Sequence, residues 1–205
     1  AEMVRVCGAD ATTAECDVSD EARVRAAADL VRRELGAADI LVNNAAIYPA
    51  GPWDQISVEE WDRVFAVNVR GYFVCAREFG QDMKSRGYGK VVNISSLAFF
   101  IGAENILHYS TSKAAAVGFT RSLAREIGPL GVTVNAVAPG AIPTEAEAST
   151  HPNLEQFNRQ VLSAQSLKRR GTTEDVAAAV VFLASPGSDF ITGQTLLVDG
   201  GWGMH

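Results

Sequence analysis

Residues 90–96 read Lys-Val-Val-Asn-Ile-Ser-Ser. An apolar run rich in β-branched residues, stopping abruptly on small polar side chains, predicts a strand over 90–95. Neighbouring strand residues point to opposite faces of a sheet, so the adjacent Val91 and Val92 ask for both faces to be covered. The same kind of run occurs at 39–43 (DILVN), 132–138 (VTVNAVA) and 195–198 (TLLV), with a weaker one at 12–17 (TTAECD). Between these runs the apolar spacing becomes helical, over about 20–36, 57–86, 108–128, 153–165 and 173–184. Ser57 with Glu60 reads as a capping box, and Thr172 to Asp175 as a second helix entry. Strands alternating with helices of this length predict βαβ units. The fold class is therefore α/β, a doubly wound parallel sheet of Rossmann type in a three-layer α/β/α sandwich.

Composition narrows the function classes. The 205 residues suit a single domain over 1–205. A net charge of −6 without long like-charge runs argues against binding nucleic acid or an anionic membrane. No apolar run approaches the roughly 18 residues that span a bilayer, and AEMVRVCGAD at the start lacks a signal peptide's apolar stretch. The three cysteines, Cys7, Cys16 and Cys75, lack CxxC spacing and read as reduced thiols in a cytoplasmic protein. No metal site is expected; His108 and His205 read as packing or hydrogen-bonding residues.

In open α/β sheets, ligands collect beyond the C-terminal strand ends. Four such ends carry small or polar residues: Asp17-Val18, Asn43-Asn44-Ala45, Ser95-Ser96 and Pro139-Gly140. Beside them lies the most chemical segment of the chain, Tyr109-Ser110-Thr111-Ser112-Lys113. Residues four apart on a helix share a face. A tyrosine with a pKa of about 10 is a poor base at neutral pH, and a nearby ammonium favours its phenolate. The pair therefore predicts a tuned proton donor and acceptor.

Taken with Asn68 in VFAVNVRG, Asn43-Asn44-Ala45-Ala46, Ser96, Val134-Asn135-Ala136-Val137-Ala138-Pro139-Gly140, and the closing Thr192-Gly193-Gln194 and Val198-Asp199-Gly200-Gly201, this segment resembles the short-chain dehydrogenase/reductase family, in family order over essentially the whole chain. The resemblance implies an oxidoreductase that moves hydride between NAD or NADP, with NAD slightly favoured, and a carbonyl or secondary alcohol. It implies Tyr109 as the acid/base and Lys113 as the group that lowers its pKa and binds the nicotinamide ribose. Ser96 would orient the substrate oxygen, and Asn68 would help hold a water leading to solvent. For the cofactor it implies Asp17, Val18, Asn43, Asn44 and Ala45 on the adenosine side, and Pro139, Gly140, Ile142 and Thr144 around the nicotinamide and its phosphate. Asp17 reads equally as a helix cap, Asn44 as a strand-end cap, and Asn68 as a mid-helix polar residue.

Two departures stand out. Ala46 occupies a position where the family commonly has glycine. The family also opens with a strand, a glycine-rich turn, a helix and a second strand, about one and a half βα units that nothing here matches. Residues 1–11 read as the end of the helix after that second strand. Without that unit the 12–17 strand would be detached and an apolar edge left unpaired, which invites aggregation. The expectation is that the molecule carries such a segment, and an intact mass equal to that of these 205 residues would contradict it.

The substrate wall is expected from Tyr48, Leu97, Phe99, Phe100 and His108, with 143–170 as a lid. An apolar, aromatic wall favours an apolar or aryl alcohol or ketone. Small residues Ala114, Ala115, Ala116 and Gly118 suit close helix approach, and the family is usually oligomeric, so a homotetramer or homodimer is expected. Two alternatives remain: a 3-oxoacyl thioester reductase, and a non-catalytic scaffold or oligomer partner without cofactor binding.

Overall fold

The computed structural model describes residues 11–144, 147 and 153–204. Four strands, Ile40–Asn43 (β1), Gly89–Ile94 (β2), Val132–Pro139 (β3) and Thr195–Val198 (β4), form one parallel sheet in the order β1-β2-β3-β4. Register follows the apolar pattern: Leu41 lies opposite Val91, Val91 opposite Val134, and Val137 opposite Leu196. The helices are Glu21–Glu34 (α1), Val58–Phe65 (α2), Gly71–Arg86 (α3), the single turn Ala98–Ile101 (α4), Leu107–Ile127 (α5), Leu154–Ala164 (α6) and Thr173–Ala184 (α7).

The two valines at the centre of β2 do what their alternation demands. Val91, with Val132 and Val134, packs against Met83 of α3 and Leu123, Ala124 and Ile127 of α5. Val92, with Val137, turns to the opposite face and meets Val176, Ala179, Val180 and Leu183 of α7. Val91 and Val92 are each 1% exposed, and full burial of a valine stabilises by about 1.5–3 kcal/mol. The sheet is covered on both sides, as the three-layer reading requires. α1 is fixed outside α3 by Val24 against Val74 and Cys75, and by Arg32 donating to Asp82 at 2.7 Å.

Three local expectations need correction. Residues 12–17 form no strand: a strand is defined by ladder hydrogen bonds, and among the described residues this segment has none, although Cys16 and Val18 still pack onto the α1–α3 cluster. The helix expected over 57–86 is interrupted by a π-turn at Ala66–Arg70, where the amide of Gly71 reaches back to Ala66. The Ser57–Glu60 box is half formed. Ser57 accepts from the amide of Glu60 at 3.1 Å, but the Glu60 carboxylate is taken by His108. Residues 1–10, Pro152, most of the expected lid between 145 and 152, and His205 lie outside the described residues.

At the other helix entry both halves of the box exist. Thr172 Oγ1 accepts from Asp175 N, and the Asp175 carboxylate accepts from Thr172 N at 2.8 Å. Asp175 also takes two bonds from Arg169, which hold its carboxyl well below the usual carboxylate range. Thr172→Ala is expected to cost about 1 kcal/mol and to lower Tm by about 2–4 °C, readable by calorimetry. On α5, Ala114 and Gly118 are exposed while Ala116 is buried in the core. No helix among the described residues is long and apolar enough to cross a membrane.

Candidate active site

β2 and β3 end side by side, and their C-terminal edges open into a cavity of about 800 Å3. Ser96 follows β2 directly. The amide of Leu97 donates to Pro139 O at 2.8 Å, which ties the exit of β2 to the end of β3. Ser96 Oγ accepts from Ala98 N at 3.1 Å, so the turn that begins α4 aims the hydroxyl. Tyr109, on the first turn of α5, shares the cavity wall with it, and the Ser96 hydroxyl is near enough to the phenol to act on its pKa. Burial pushes the Tyr109 phenol above its ordinary pKa; Ser96 pulls it back, and Tyr48 pushes it up. The Tyr48 ring stands edge-on to Tyr109 with centroids 4.7 Å apart.

Lys113, one helical turn further along α5, is 1% exposed. Desolvation penalises its charged form and pulls its pKa down to about 8. Its ammonium lies 5.7 Å from the Tyr109 ring centroid and donates to the Ile94 carbonyl at 2.7 Å and to the Tyr72 hydroxyl at 3.0 Å. An ammonium carries three donors, so one is uncommitted, although Lys113 itself is not on the cavity wall.

Asn68 lies in the π-turn, fully buried. Its side-chain oxygen accepts from Ile47 N at 2.9 Å, and its nitrogen donates to Ile47 O and to Ser112 Oγ, each at 3.0 Å. Ser112 in turn donates to Tyr109 O at 2.7 Å. Asn68 thus clamps the loop carrying Tyr48 to the helix carrying Tyr109. The π-turn lets one polar side chain point inward between two elements, a use often found at functional sites.

The structure separates the residues expected around the cofactor. Asn44, Pro139, Gly140, Ile142 and Thr144 line the cavity. Gly140 has a steric reason to be glycine, because a Cβ there would stand 2.9 Å from Asp199 Cα. Asn43 is turned inward, donating to Asn93 Oδ1 at 2.8 Å, and Asn93 passes the chain to Thr120 at 2.9 Å. Its amide joins β1 to β2 and α5, and the cavity wall does not include it. Ala45 is exposed at the end of β1, also off the wall. Asp17 is exposed, its carboxyl kept below the usual range by two bonds from Ser19. The cap of α1 is Asp20, and Val18 packs on the α1–α3 cluster.

On the substrate side, Tyr48 and Leu97 line the cavity. Phe99 and Phe100 do not: their rings lie on each other, 3.9 Å apart, on the one-turn α4. His108 is wholly buried, with Nε2 2.9 Å from the Glu60 carboxylate, because its position on α5 faces α2 rather than the cleft. The apolar wall is supplied instead by Ile101, Ile106, Phe157 and Trp202, which the sequence reading did not select. Glu104 and Glu147 also line it, and Glu147 is paired with Arg170, whose guanidinium stands 5.4 Å from the Phe157 ring centroid. Among the described residues lining the cavity there is no Lys, Arg or His. Among the described residues no cluster of three His, Cys, Asp or Glu side chains could hold a metal ion.

A two-face parallel sheet with Ser96, Tyr109, Lys113 and Asn68 gathered at its C-terminal edge defines an α/β oxidoreductase-type site. Comparison with known proteins gives the family. A family model described as Enoyl-(Acyl carrier protein) reductase matches residues 1–203. The short-chain dehydrogenase/reductase eriH of Hericium erinaceus is 40% identical over 203 residues, covering 98% of this chain and 79% of that protein. The 3-oxoacyl-[acyl-carrier-protein] reductase FabG of Staphylococcus aureus is 35% identical over 203 residues, covering 99% and 81%. Among solved structures, a gluconate 5-dehydrogenase from Burkholderia cenocepacia, crystallised with NADP and tartrate, superposes with a TM-score of 0.92 at 34% identity, covering 98% of this chain and 78% of that one. The chain belongs to the short-chain dehydrogenase/reductase family.

Proposed function

We propose that the protein interconverts a small apolar or aryl secondary alcohol and its ketone, with a nicotinamide dinucleotide as partner. The observation that carries this reading is the Ser96–Tyr109 hydroxyl pair at the wall of an apolar cavity, with the Lys113 ammonium behind the Tyr109 ring. The residues present fit the cofactor. Asn44 and Thr144 offer polar side chains on the wall, Gly140 keeps the β3 exit narrow, and Lys113, behind Tyr109 and off the wall as it stands, keeps one uncommitted donor that would have to be uncovered to meet a sugar hydroxyl. Bound there, the nicotinamide would give or take the hydride. Ser96 positions the substrate oxygen, and Tyr109 hands its proton to that oxygen in reduction and takes it back in oxidation. Asn68 keeps the Tyr48 loop and α5 in register.

The apolar substrate class rests on the lining: aliphatic and aromatic side chains, two carboxylates, and no cation among the described residues. Such a wall disfavours a sugar acid or an acidic carrier, because an anion would meet Glu104 without a compensating charge. The 3-oxoacyl reductase reading is favoured by the likeness to FabG and opposed by the same lining and by the net charge of −6. A scaffold without chemistry has no use for a hydroxyl pair and a desolvated lysine at one cavity. A homo-oligomer belongs to this reading, with the exposed Ala114 and Gly118 on α5 allowing close helix approach.

Titration with NADH and with NADPH, followed by nicotinamide fluorescence, tests the proposal, with aryl ketones and 3-oxoacyl thioesters screened next. Saturable binding of one cofactor and turnover of the neutral ketone is expected. Absence of binding by folded protein favours the scaffold, and turnover of the thioester alone favours the second reading.

A further inference from the structure

Neither hydrogen-bond partner of the Lys113 ammonium is Tyr109. The ammonium donates to Ile94 O and Tyr72 Oη, and the Tyr72 hydroxyl donates to the same Ile94 carbonyl at 2.7 Å. The three polar atoms close a triangle at the end of β2. Both side chains are sealed, with Tyr72 2% and Lys113 1% exposed. A phenol has one proton, and Tyr72 has spent it on Ile94, so only lone pairs face the ammonium. The ammonium stands between two rings, 5.4 Å from the Tyr72 centroid and 5.7 Å from that of Tyr109. Tyr72 lies just past the π-turn, whose wider winding shifts the phase of the first turn of α3.

We infer that Tyr72 is a positioning residue for Lys113, its phenol oxygen holding the ammonium between the end of β2 and the Tyr109 ring. The inference builds on the reading of Tyr109 and Lys113 as a working pair. The sequence motif explains why a lysine accompanies the tyrosine; it does not explain what keeps a desolvated amine charged and in place. Two acceptors do so, and one of them is a side chain that can be changed.

The sign of the effect follows from burial. Desolvation pulls Lys113 down to about 8, and each acceptor on the charged form opposes that pull. The titratable groups facing the pair are Tyr109 on α5, Cys75 on α3 and Tyr48 from the loop after β1. Burial holds Cys75 up at about 11 and raises Tyr109 and Tyr72 above the ordinary phenol value, so these three stay neutral while Lys113 titrates. Removing the Tyr72 oxygen makes the amine lose its proton at lower pH. A hydrogen bond to a charged group is strong enough to move the midpoint by about one pH unit.

Tyr72→Phe keeps the ring and removes the oxygen. The chain has four lysines, Lys84, Lys90, Lys113 and Lys168, so carbon-13 labelling at lysine Cε gives few resonances, and Lys113→Arg assigns the one of interest. In the full chain, the Lys113 midpoint in Tyr72→Phe is expected about one pH unit below the wild-type midpoint. Any step in the rate profile of carbonyl reduction that tracks the Lys113 charge should shift down with it, separately from the Tyr109 titration at higher pH. An unchanged Lys113 midpoint in folded Tyr72→Phe overturns the inference whatever happens to activity. A shifted midpoint with an unshifted rate profile supports the positioning role and removes Lys113 from the proposed chemistry. Should Tyr72→Phe fold poorly, Tyr72→Leu, which also lacks the oxygen, must show the same downward shift.

Discussion

Tyr109→Phe is expected to lower kcat by about 10²–10⁴ in both directions while leaving cofactor affinity within a few-fold of wild type. The phenol is the titratable group that both lines the cavity and stands beside Ser96. With it gone, the oxygen of a bound ketone would lose the proton donor beside Ser96, and an alcohol its acceptor there. The ring itself stays, so its edge-on contact with Tyr48 and the position of Lys113 behind it survive. Losing the polar contact with Ser96 should cost at most about 1 kcal/mol of stability, too little to explain a loss of turnover through unfolding. Steady-state rates from nicotinamide absorbance, with cofactor titration in parallel, separate the two effects. Retained turnover would take Tyr109 out of the chemistry. The raised pKa also has a sign. Oxidation needs the deprotonated phenol, so its rate should climb with pH through that pKa, whereas reduction uses the protonated form and should fall over the same interval.

The parts of the fold that sequence showed well are those decided by side-chain period alone. Val91 and Val92 could only sit side by side in a sheet covered on both faces, and they do. The helix over 173–184 was readable from the Thr172–Asp175 cap and the apolar run after it. Where the reading failed, a tertiary partner had decided. Residues 12–17 have a strand's pattern, but a strand exists only through ladder bonds to a neighbour. Asn43 stands at a strand end where ligands collect, yet a buried Asn93 is within reach and claims its amide. His108 immediately precedes Tyr109, but one residue on a helix is a turn of about 100°, enough to carry it from the cleft to Glu60. The π-turn has no spacing signal of its own, and without it the meeting of Tyr72 and Lys113 could not be anticipated. Ile101, Ile106, Phe157 and Trp202 come from separate elements whose convergence requires the assembled fold.

The second large effect is expected at Asn68, and it should appear in stability and turnover together. Asn68→Ala leaves three polar groups short of a partner: the part-buried amide and carbonyl of Ile47, and the buried hydroxyl of Ser112. Ser112 keeps its bond to Tyr109 O, so the full cost falls mainly on Ile47. A fully buried unsatisfied group costs about 1–3 kcal/mol; with both Ile47 groups part-buried, a total of about 3 kcal/mol is expected from the low end of that range together with the lost Asn68 packing. For a chain of this length that lowers Tm by about 6–12 °C. Asn68→Asp distinguishes the chemistry from the volume. It keeps the shape and can still accept from Ile47 N, but as a carboxylate it cannot donate to Ile47 O, and it brings a negative charge into a fully buried site. It should therefore be at least as destabilising as Ala, whereas a site that needed only volume would tolerate it. Turnover should fall in both variants even at temperatures where they remain folded. The clamp sets the distance between the Tyr48 loop and the Tyr109 helix, and a reacting geometry loosened by 1 Å can cost about 10²-fold. Calorimetry and kcat measured well below the lowered Tm give the two readings independently. A destabilised variant with full kcat would make Asn68 a fold residue only.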